Sequence, residues 1–361
     1  MGRPERLAAA LLGLTLALPA LAGGGHLKLL AGRVDGQGVA AWDLRLQGGL
    51  ARGPWEGRAA LQALGLRQRG PAPVPLPDDA RRAVDLSWTS GDGDWRRVTR
   101  VDRLWLGRAG PRWRWRLGRQ AISWGQGLAY NPVDVFDPFP PAAIDTEYKP
   151  GEDAFHLQGL LPGGADLQAL AVSHGAAPAS VALKWHRPAR RTARPDVDLL
   201  LARHDRDGLA ALGLAQPLGG AMARLDVLHW RLAGGGGAWE AVANVDYAFG
   251  LGERPLYLFA EYYRNGLPGD ALAERLAHGE RFLLGRDYGA VGLDFQPHPL
   301  HRLRLTGLVR IGRDAWLLPA TWTWDWREDW QWEAGAILSH APAGSEFDWP
   351  TWVYGRLKIY F

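Results

Sequence analysis

Arginines of the same parity cluster in two stretches of the sequence. The six members are Arg112, Arg114, Arg116, Arg302, Arg304 and Arg310. Because side chains alternate between the two faces of a β-strand, each set would share one face of a strand. Guanidinium groups stacked in this way repel one another and need water or acidic partners. If the arginines faced acidic groups across an aqueous passage, the two sets of charges would create a transverse electric field in the pore. The alternative role of the arginines is to form a structural network of ion pairs.

The segment 121–153 carries acidic groups that could face these arginines. It is the longest stretch without strand-like alternation, and such a segment is usually either functional or disordered. Its aromatic residues and prolines indicate a stiff, folded loop. Its candidate functional residues are Trp124, Asp134, Asp137, Asp145, Lys149 and Glu152.

Catalytic and metal-binding signals are weak by comparison. The chain has no Cys, and the neighbours Ser173 and His174 would point to opposite faces of a strand, so they cannot form a nucleophile–base pair. No Gly-rich phosphate loop, His cluster or zinc-ligand spacing occurs. A net charge of +4 is too small to indicate binding to nucleic acid. We therefore expect no catalytic residue, no cofactor and no bound metal ion.

A hydrophobic period of two places the candidate residues on strands. Trp113 and Leu117 lie on the strand face opposite the first arginine set. In another segment, Trp322 and Trp324 share one face and Thr323 lies on the other. If every second residue faces lipid, the mean hydropathy stays low, in agreement with the value of −0.20. Three arginines on one face would be rare in a soluble sheet, whereas a water-filled lumen would hydrate them. The pattern predicts an all-β fold, a closed antiparallel transmembrane β-barrel.

Segments with this alternation recur along the chain and set the size of the barrel. Roughly 18 of them follow residue 38, each about the 9 to 11 residues that a tilted strand needs to cross a bilayer. They are 39–48, 55–67, 83–89, 96–107, 112–120, 154–161, 166–174, 180–187, 196–203, 208–214, 221–232, 238–249, 255–264, 286–296, 301–311, 315–326, 330–339 and 351–361. Because 55–67 and 208–214 are weak, we expect about 16 to 18 strands. Residues 26–33 would form an additional strand or a periplasmic tail.

The N-terminus has the layout of a secretory signal peptide. Arg3 and Arg6 precede the apolar run 7–18, Pro19 ends that run, and Ala20-Leu21-Ala22 is a small-x-small cleavage signal. The run is too short for a spanning helix, which needs about 20 residues. We expect a signal peptide over 1–22 and a barrel over 23–361; a retained N-terminal anchor is the alternative.

The C-terminus has the alternation of a closing strand. Val353, Leu357 and Phe361 share one face, and Arg356 and Lys358 share the other. Taken together, the signal peptide, the alternating strands and the closing strand that ends in Phe361 resemble those of outer-membrane β-barrel proteins of Gram-negative bacteria. The resemblance implies residence in the cell outer membrane, contact with its lipid, and recognition of Phe361 by the barrel assembly machinery. A homo-oligomer is compatible with this resemblance.

The connections between strands agree with this orientation. If the C-terminus is periplasmic, the two longest connections, near 121–153 and 265–285, both fall outside the cell, where barrels keep their long loops. The exception is 188–195, a long periplasmic connection. For 121–153 we favour a loop that folds into the lumen and narrows the pore; the alternative is an external lid.

A second resemblance covers about 35 residues around this loop. Gly118-Arg119-Gln120, Trp124-Gly125, Asn131-Pro132 and Asp134 resemble a pattern in a poorly characterised group of proteobacterial outer-membrane barrels, some of them porin-like. It implies a channel or export role with no catalytic residues. We therefore predict a porin-like channel for passive or weakly selective passage of small polar solutes. The alternatives are a specific transporter or export conduit that works with an envelope partner, and an outer-membrane enzyme.

Overall fold

The computed structural model describes residues 22–68, 81–189 and 194–361. The expected signal peptide lies outside the described residues, apart from Ala22. The described chain forms a single antiparallel sheet of 19 strands, and this sheet closes on itself because the first strand pairs with the last. The predicted closed antiparallel barrel is confirmed.

The strands are numbered in chain order. They are β1 (Ala22–Val34), β2 (Gln37–Arg52), β3 (Trp55–Gln68), β4 (Ser87–Asp92), β5 (Trp95–Ala109), β6 (Trp113–Gln120), β7 (Glu152–Leu160), β8 (Asp166–Val172), β9 (Ser180–Arg187), β10 (Asp196–His204), β11 (Asp207–Leu218), β12 (Ala221–Arg231), β13 (Gly237–Leu251), β14 (Arg254–Arg264), β15 (Asp287–His298), β16 (His301–Arg310), β17 (Trp316–Arg327), β18 (Trp330–His340) and β19 (Trp352–Tyr360). One α-helix, α1 (Gly269–Ala277), and a 3₁₀ turn at Pro162–Gly164 lie within connections of the described chain.

The ring of the barrel contains 18 strands, because β4 is not a spanning strand. β3 pairs with β5 along its length, whereas β4 pairs with the Trp95–Arg100 half of β5, and β6 pairs with the other half. The prediction of a barrel strand at 83–89 is therefore wrong. The short β4 has one large apolar residue, Trp88, and so lacks the apolar row that a lipid-facing strand needs.

Three weakly patterned segments are full strands. Residues 26–33, predicted as either a strand or a tail, belong to β1, which pairs with both β2 and β19. The weak segments 55–67 and 208–214 correspond to β3 and β11. Their small residues and glycines weaken the alternation, while backbone pairing on both sides keeps them in the ring.

The two ends of the barrel differ in the length of their connections. Gly25 and Phe361 exchange backbone hydrogen bonds of 2.6 and 3.1 Å, so both termini of the described chain lie at one end, the terminal end. Turns at this end include the two-residue links 53–54, 219–220 and 252–253. The connections 121–151, 265–286 and 341–351 lie at the opposite end, the loop end.

The outer surface of the barrel is apolar. Its exposed residues include Trp113, Leu117, Leu201, Trp239, Val291 and Val353. Each belongs to the outward-facing half of an alternating strand, so these residues would lie in hydrocarbon rather than water. No helix among the described residues is long and apolar enough to cross a membrane.

Candidate functional site

The connection 121–151, here called the lumen loop, lies inside the ring of strands. Its residues contact inward-facing side chains from widely separated strands. Trp124 Nε1 donates to Gln168 on β8 at 3.2 Å, and the Gln126 backbone N–H donates to Asp226 on β12 at 2.7 Å. Asp145 reaches β1 and β19 on the other side. The loop therefore extends across the lumen from one wall to the other.

Apolar packing fixes one half of the lumen loop to the wall that β7–β13 form. Trp124 and Phe136 pack edge to face with ring centroids 6.0 Å apart. They share one buried cluster with Leu170, Leu228 and Trp230 of the wall. Burying aromatic side chains of this size stabilises the contact by about 1.5–3 kcal/mol each. The buried Trp124 is thus an anchor for the loop.

A carboxylate on β14 holds the backbone of the lumen loop. Glu261 accepts hydrogen bonds from the N–H groups of Leu128, Ala129 and Tyr130 at 2.6, 2.9 and 2.7 Å. Asn244 on β13 donates to Glu261 and to the carbonyl of Gln126, both at 3.0 Å. Charge-assisted hydrogen bonds are stronger than neutral ones, so this clamp fixes the loop's path.

The far part of the loop is tied to the strands that close the barrel. Lys28 on β1 donates to Asp145 at 2.7 Å, and Arg356 on β19 donates to the same carboxylate at 2.9 Å. Burial would raise the pKa of Asp145, but Lys28 and Arg356 outweigh it and lower the pKa to about 2. Glu147 lies 2.7 Å from Lys28 as well.

The other acidic residues predicted for the constriction have partners within the loop or at its base. Asp134 pairs with Lys149 and accepts a hydrogen bond from Ser123 at 3.2 Å. Burial raises the pKa of Asp134 and lowers the pKa of Lys149. Asp137 and Glu152 both pair with Arg82. Asp137 and Glu152 shape the loop, whereas Asp134 and Asp145 also face the open space beneath it.

A cavity of ≈ 730 Å³ separates the lumen loop from the wall that β14–β19 form. Its charged lining residues are Asp134, Asp145, Glu147, Asp294, Arg302, Arg304, Glu333, Arg356 and Lys358. Arg302 and Arg304 lie 2.6 and 3.3 Å from the single carboxylate of Asp294. Their side chains are 58% and 55% exposed, so at this part of the wall two guanidinium groups and one carboxylate face the cavity.

The other predicted pore-lining arginines lie elsewhere. Arg310 ends β16 at the loop end and pairs with Glu346 at 3.1 Å. Arg112 precedes β6 at the terminal end, and Arg114 and Arg116 lie 3.3 and 3.1 Å from Glu56. The prediction that this row faces the acidic groups of the lumen loop is wrong. β6 runs from the terminal end towards the loop end, so its first residues lie farthest from the loop.

Sequence reasoning missed a second charged cluster beneath the loop. Asp102 lies 2.5 Å from Arg45 and 3.0 Å from Arg103, and all three side chains lie within the barrel. The ring of Tyr148 lies over the Arg45 guanidinium at 4.2 Å. Asp102 is the extra residue of a β-bulge opposite Ala60 and Leu61. The charged residues at 100, 102 and 103 break the period of two. This break is the sequence signal that could have identified the bulge and its charged cluster.

An aromatic layer narrows the lumen at the loop end. Tyr263 near the end of β14 stacks on Tyr130 and on Tyr288, with centroid distances of 5.6 and 6.2 Å. Phe347 from the 341–351 connection packs on Tyr288 at 6.0 Å. All four rings are buried. These rings do not line the 730 Å³ cavity; they fill part of the lumen at the loop end.

Comparison with known proteins establishes the architecture. No protein-family model matches the chain, and no curated protein matches it in sequence. The structure of OpdK from Pseudomonas aeruginosa with vanillate aligns over 94% of this chain and 97% of that chain, with 14% identity and a TM-score of 0.55. A BenF-like porin from Pseudomonas fluorescens Pf-5 aligns over 94% and 97%, with 11% identity and a TM-score of 0.52.

A third solved structure gives the same result. OccK2 (OpdF) from Pseudomonas aeruginosa in complex with glucuronate aligns over 94% of this chain and 96% of that chain, with 12% identity and a TM-score of 0.50. At these identities the similarity concerns the fold. The chain, whose ring has 18 antiparallel strands, therefore shares its closed barrel fold with these three proteins.

Proposed function

We propose that the protein is a channel of the Gram-negative outer membrane through which small polar solutes pass without energy input. The observation that carries the proposal is the charged cavity between the lumen loop and the β14–β19 wall. The apolar outer surface supports residence in a lipid bilayer. Because the three similar structures belong to porins or related outer-membrane proteins and not to enzymes, they support a non-enzymatic role.

The β16 part of the cavity wall could bind a carboxylate-bearing solute. Arg302 and Arg304 share one carboxylate, Asp294, so their guanidinium groups have N–H donors left for a second carboxylate in bidentate geometry, within a lining that has five carboxylates and four cationic groups in all. Two of the similar structures contain vanillate and glucuronate, both carboxylates. The buried aromatic layer of Tyr130, Tyr263 and Tyr288 fills part of the lumen at the loop end. We therefore favour selective passage over a wide, unselective pore.

Fractionation and conductance test this function. We expect the mature protein to begin at Gly23, to fractionate with the outer membrane, and to migrate differently in heated and unheated gel samples. In planar bilayers it should form discrete channels whose current falls when vanillate or glucuronate is added. Recovery in the soluble periplasmic fraction would contradict the location. A folded barrel that inserts but conducts no ions would contradict the channel and favour an export conduit or another role.

A further inference from the structure

Several imidazole and carboxylate groups converge at the loop end, outside the cavity assigned to transport. His204 ends β10, Asp205 follows it in the turn to β11, and His278 and Glu280 follow α1 in the 265–286 connection. A separate cavity of ≈ 220 Å³ lies beside them, and its lining includes His204, His278 and Glu280. One ligand atom each from His204, Asp205 and Glu280 lies within 4.8 Å of the other two. The fold thus joins residues that are far apart in sequence.

The spacing of the atoms is compatible with a ligand set. His204 Nε2 lies 3.0 Å from Glu280 Oε1. His278 Nδ1 lies 3.6 Å from Glu280 Oε1 and 3.9 Å from Asp205 Oδ2. Ligand atoms around a tetrahedral Zn²⁺ with bonds of about 2.0–2.1 Å are about 3.3 Å apart. Small side-chain rotations would therefore bring His204, Asp205 and Glu280 to one ion, and His278 Nδ1 lies within 4 Å of an oxygen of each of the two carboxylates.

Buried atoms that make no well-formed hydrogen bond provide the second observation. His204 is 1% exposed, yet its Nε2 atom makes no hydrogen bond although it faces Glu280. Asp205 Oδ1 and His278 Nδ1 are also buried atoms without a hydrogen bond. Leaving a buried polar atom unsatisfied costs about 1–3 kcal/mol, so several at one place require an explanation. A cation between them would satisfy these atoms together.

The second nitrogen of His204 is held as it is in metal-binding histidines. Ser180 Oγ lies 3.0 Å from His204 Nδ1 and 2.9 Å from His174 Nε2, and it accepts a hydrogen bond from the Asp205 N–H at 3.0 Å. If His204 Nδ1 donates to Ser180, the Nε2 lone pair points at the Glu280 carboxylate. Hydrogen bonding of the other ring nitrogen is what orients a ligating imidazole.

The charge of the site leaves room for a cation. Arg81 bridges Glu280 and Asp205 at 2.6 and 2.7 Å, and Arg275 lies between Glu280 and Asp207 at 3.3 and 2.6 Å. Three carboxylates thus face two guanidinium groups. Arg81 binds the same two oxygens, Glu280 Oε1 and Asp205 Oδ2, that lie close to His278 Nδ1. Arg81 would therefore compete with a metal ion for these two carboxylate oxygens.

We propose that His204, Asp205, His278 and Glu280 form a binding site for a divalent transition-metal ion of the Zn²⁺ type at the external rim, with Arg81 leaving the two carboxylates when the ion binds. Mixed imidazole and carboxylate ligands favour Zn²⁺ over Ca²⁺ or Mg²⁺, which prefer oxygen alone. The ion would join the 265–286 connection to the β10–β11 turn. Arg281, next to Glu280, donates to the Pro132 carbonyl at 2.8 Å, so the site also adjoins the lumen loop.

Zinc binding by the folded, metal-stripped barrel in detergent tests the proposal. Competition with a chromophoric chelator should show one saturable Zn²⁺ per chain, and Ca²⁺ should not compete. His204→Ala should weaken binding at least about tenfold, and Arg81→Ala should tighten it because the competing cation is removed. His278 is half-buried, so His278→Ala provides a second ligand variant that leaves the buried network in place.

The control variant removes an imidazole from another pair. His298 and His301 lie at the terminal end with ring centroids 5.6 Å apart, so His301→Ala should leave the affinity for Zn²⁺ unchanged. Heat-dependent gel mobility reports that each variant is folded. No saturable Zn²⁺ binding by folded wild-type protein would overturn the proposal. Equal affinity in wild-type, His204→Ala and His278→Ala proteins, or loss of binding in His301→Ala, would overturn it as well.

Discussion

The carboxylate of Glu261 accepts a hydrogen bond from the backbone N–H of Tyr130 at 2.7 Å, although 131 residues separate the two in sequence. Together with the hydrogen bonds that Glu261 accepts from the N–H groups of Leu128 and Ala129, this bond fixes the lumen loop to β14. We expect Glu261→Ala to weaken this attachment by about 1.5–3 kcal/mol, because hydrogen bonds to a charged group are lost. Single-channel recordings should show larger and noisier currents. Glu253→Ala, in an exposed turn at the terminal end, is the control. Identical recordings from both variants would show that the clamp does not shape the pore.

Removal of residues 128–147 tests whether the lumen loop limits conductance. The deletion takes out Tyr130 of the aromatic layer and Asp145 at the β1–β19 contact. It retains the strands of the ring, whose backbone pairing does not involve the loop. We therefore expect a folded barrel with higher conductance. An unchanged conductance in a heat-modifiable barrel would place the limiting constriction elsewhere.

The arginine pair on β16 should set the ion preference. The double variant Arg302→Ser/Arg304→Ser leaves Asp294 unpaired beside the cavity. Reversal potentials should therefore show a shift in ion selectivity towards cations. The shift should grow at low salt, where screening extends over a longer distance. The matched control is Arg114→Ser with Arg116→Ser, which removes two arginines that pair with Glu56 near the terminal end. A larger shift from the control pair would identify that row as the selective element.

The Asp145 attachment should depend on pH. Burial acts to raise the pKa of Asp145, but Lys28 and Arg356 lower it to about 2, below the usual value near 3.9. A lowered pKa in the folded state means that the contribution to stability is complete above about pH 4 and is lost as the pH falls through about 2. Asp145→Asn should therefore be less stable than wild type at pH 6, with the difference vanishing near pH 2. Because the carboxylate is one-third exposed, solvent screening limits the difference to about 1 kcal/mol. Denaturant unfolding in detergent measures it, and a constant difference across this range would contradict the assignment.

The sequence predicts those features that depend on local alternation. Trp113 and Leu117 identify an outward face, and the same period identifies most strands of the ring. Which charges meet depends instead on long-range geometry. Arg116 meets Glu56 and not Asp134, because strand direction decides which end of β6 approaches the lumen loop. The convergence of His204 with Glu280 likewise requires the folded 265–286 connection, so ligand spacing along the chain cannot reveal it.

Phe361 should be needed for assembly of the barrel. Its backbone N–H donates to the Gly25 carbonyl at 3.1 Å, its own carbonyl accepts from the Gly25 N–H at 2.6 Å, and the residue as a whole is 59% exposed. An Asp at this position would place a charge near lipid, at a cost of up to a few kcal/mol depending on depth. We expect Phe361→Asp to lower the amount of folded, heat-modifiable barrel in cells, while Phe361→Tyr, which keeps an aromatic ring, stays near the wild-type amount. Refolding of both variants from urea into detergent separates the two causes. If Phe361→Asp refolds normally there but fails in cells, recognition by the assembly machinery is lost; if it fails in both, the closing contact itself is too weak. Wild-type amounts of folded Phe361→Asp protein in cells would refute a role for this residue in closing or delivering the barrel.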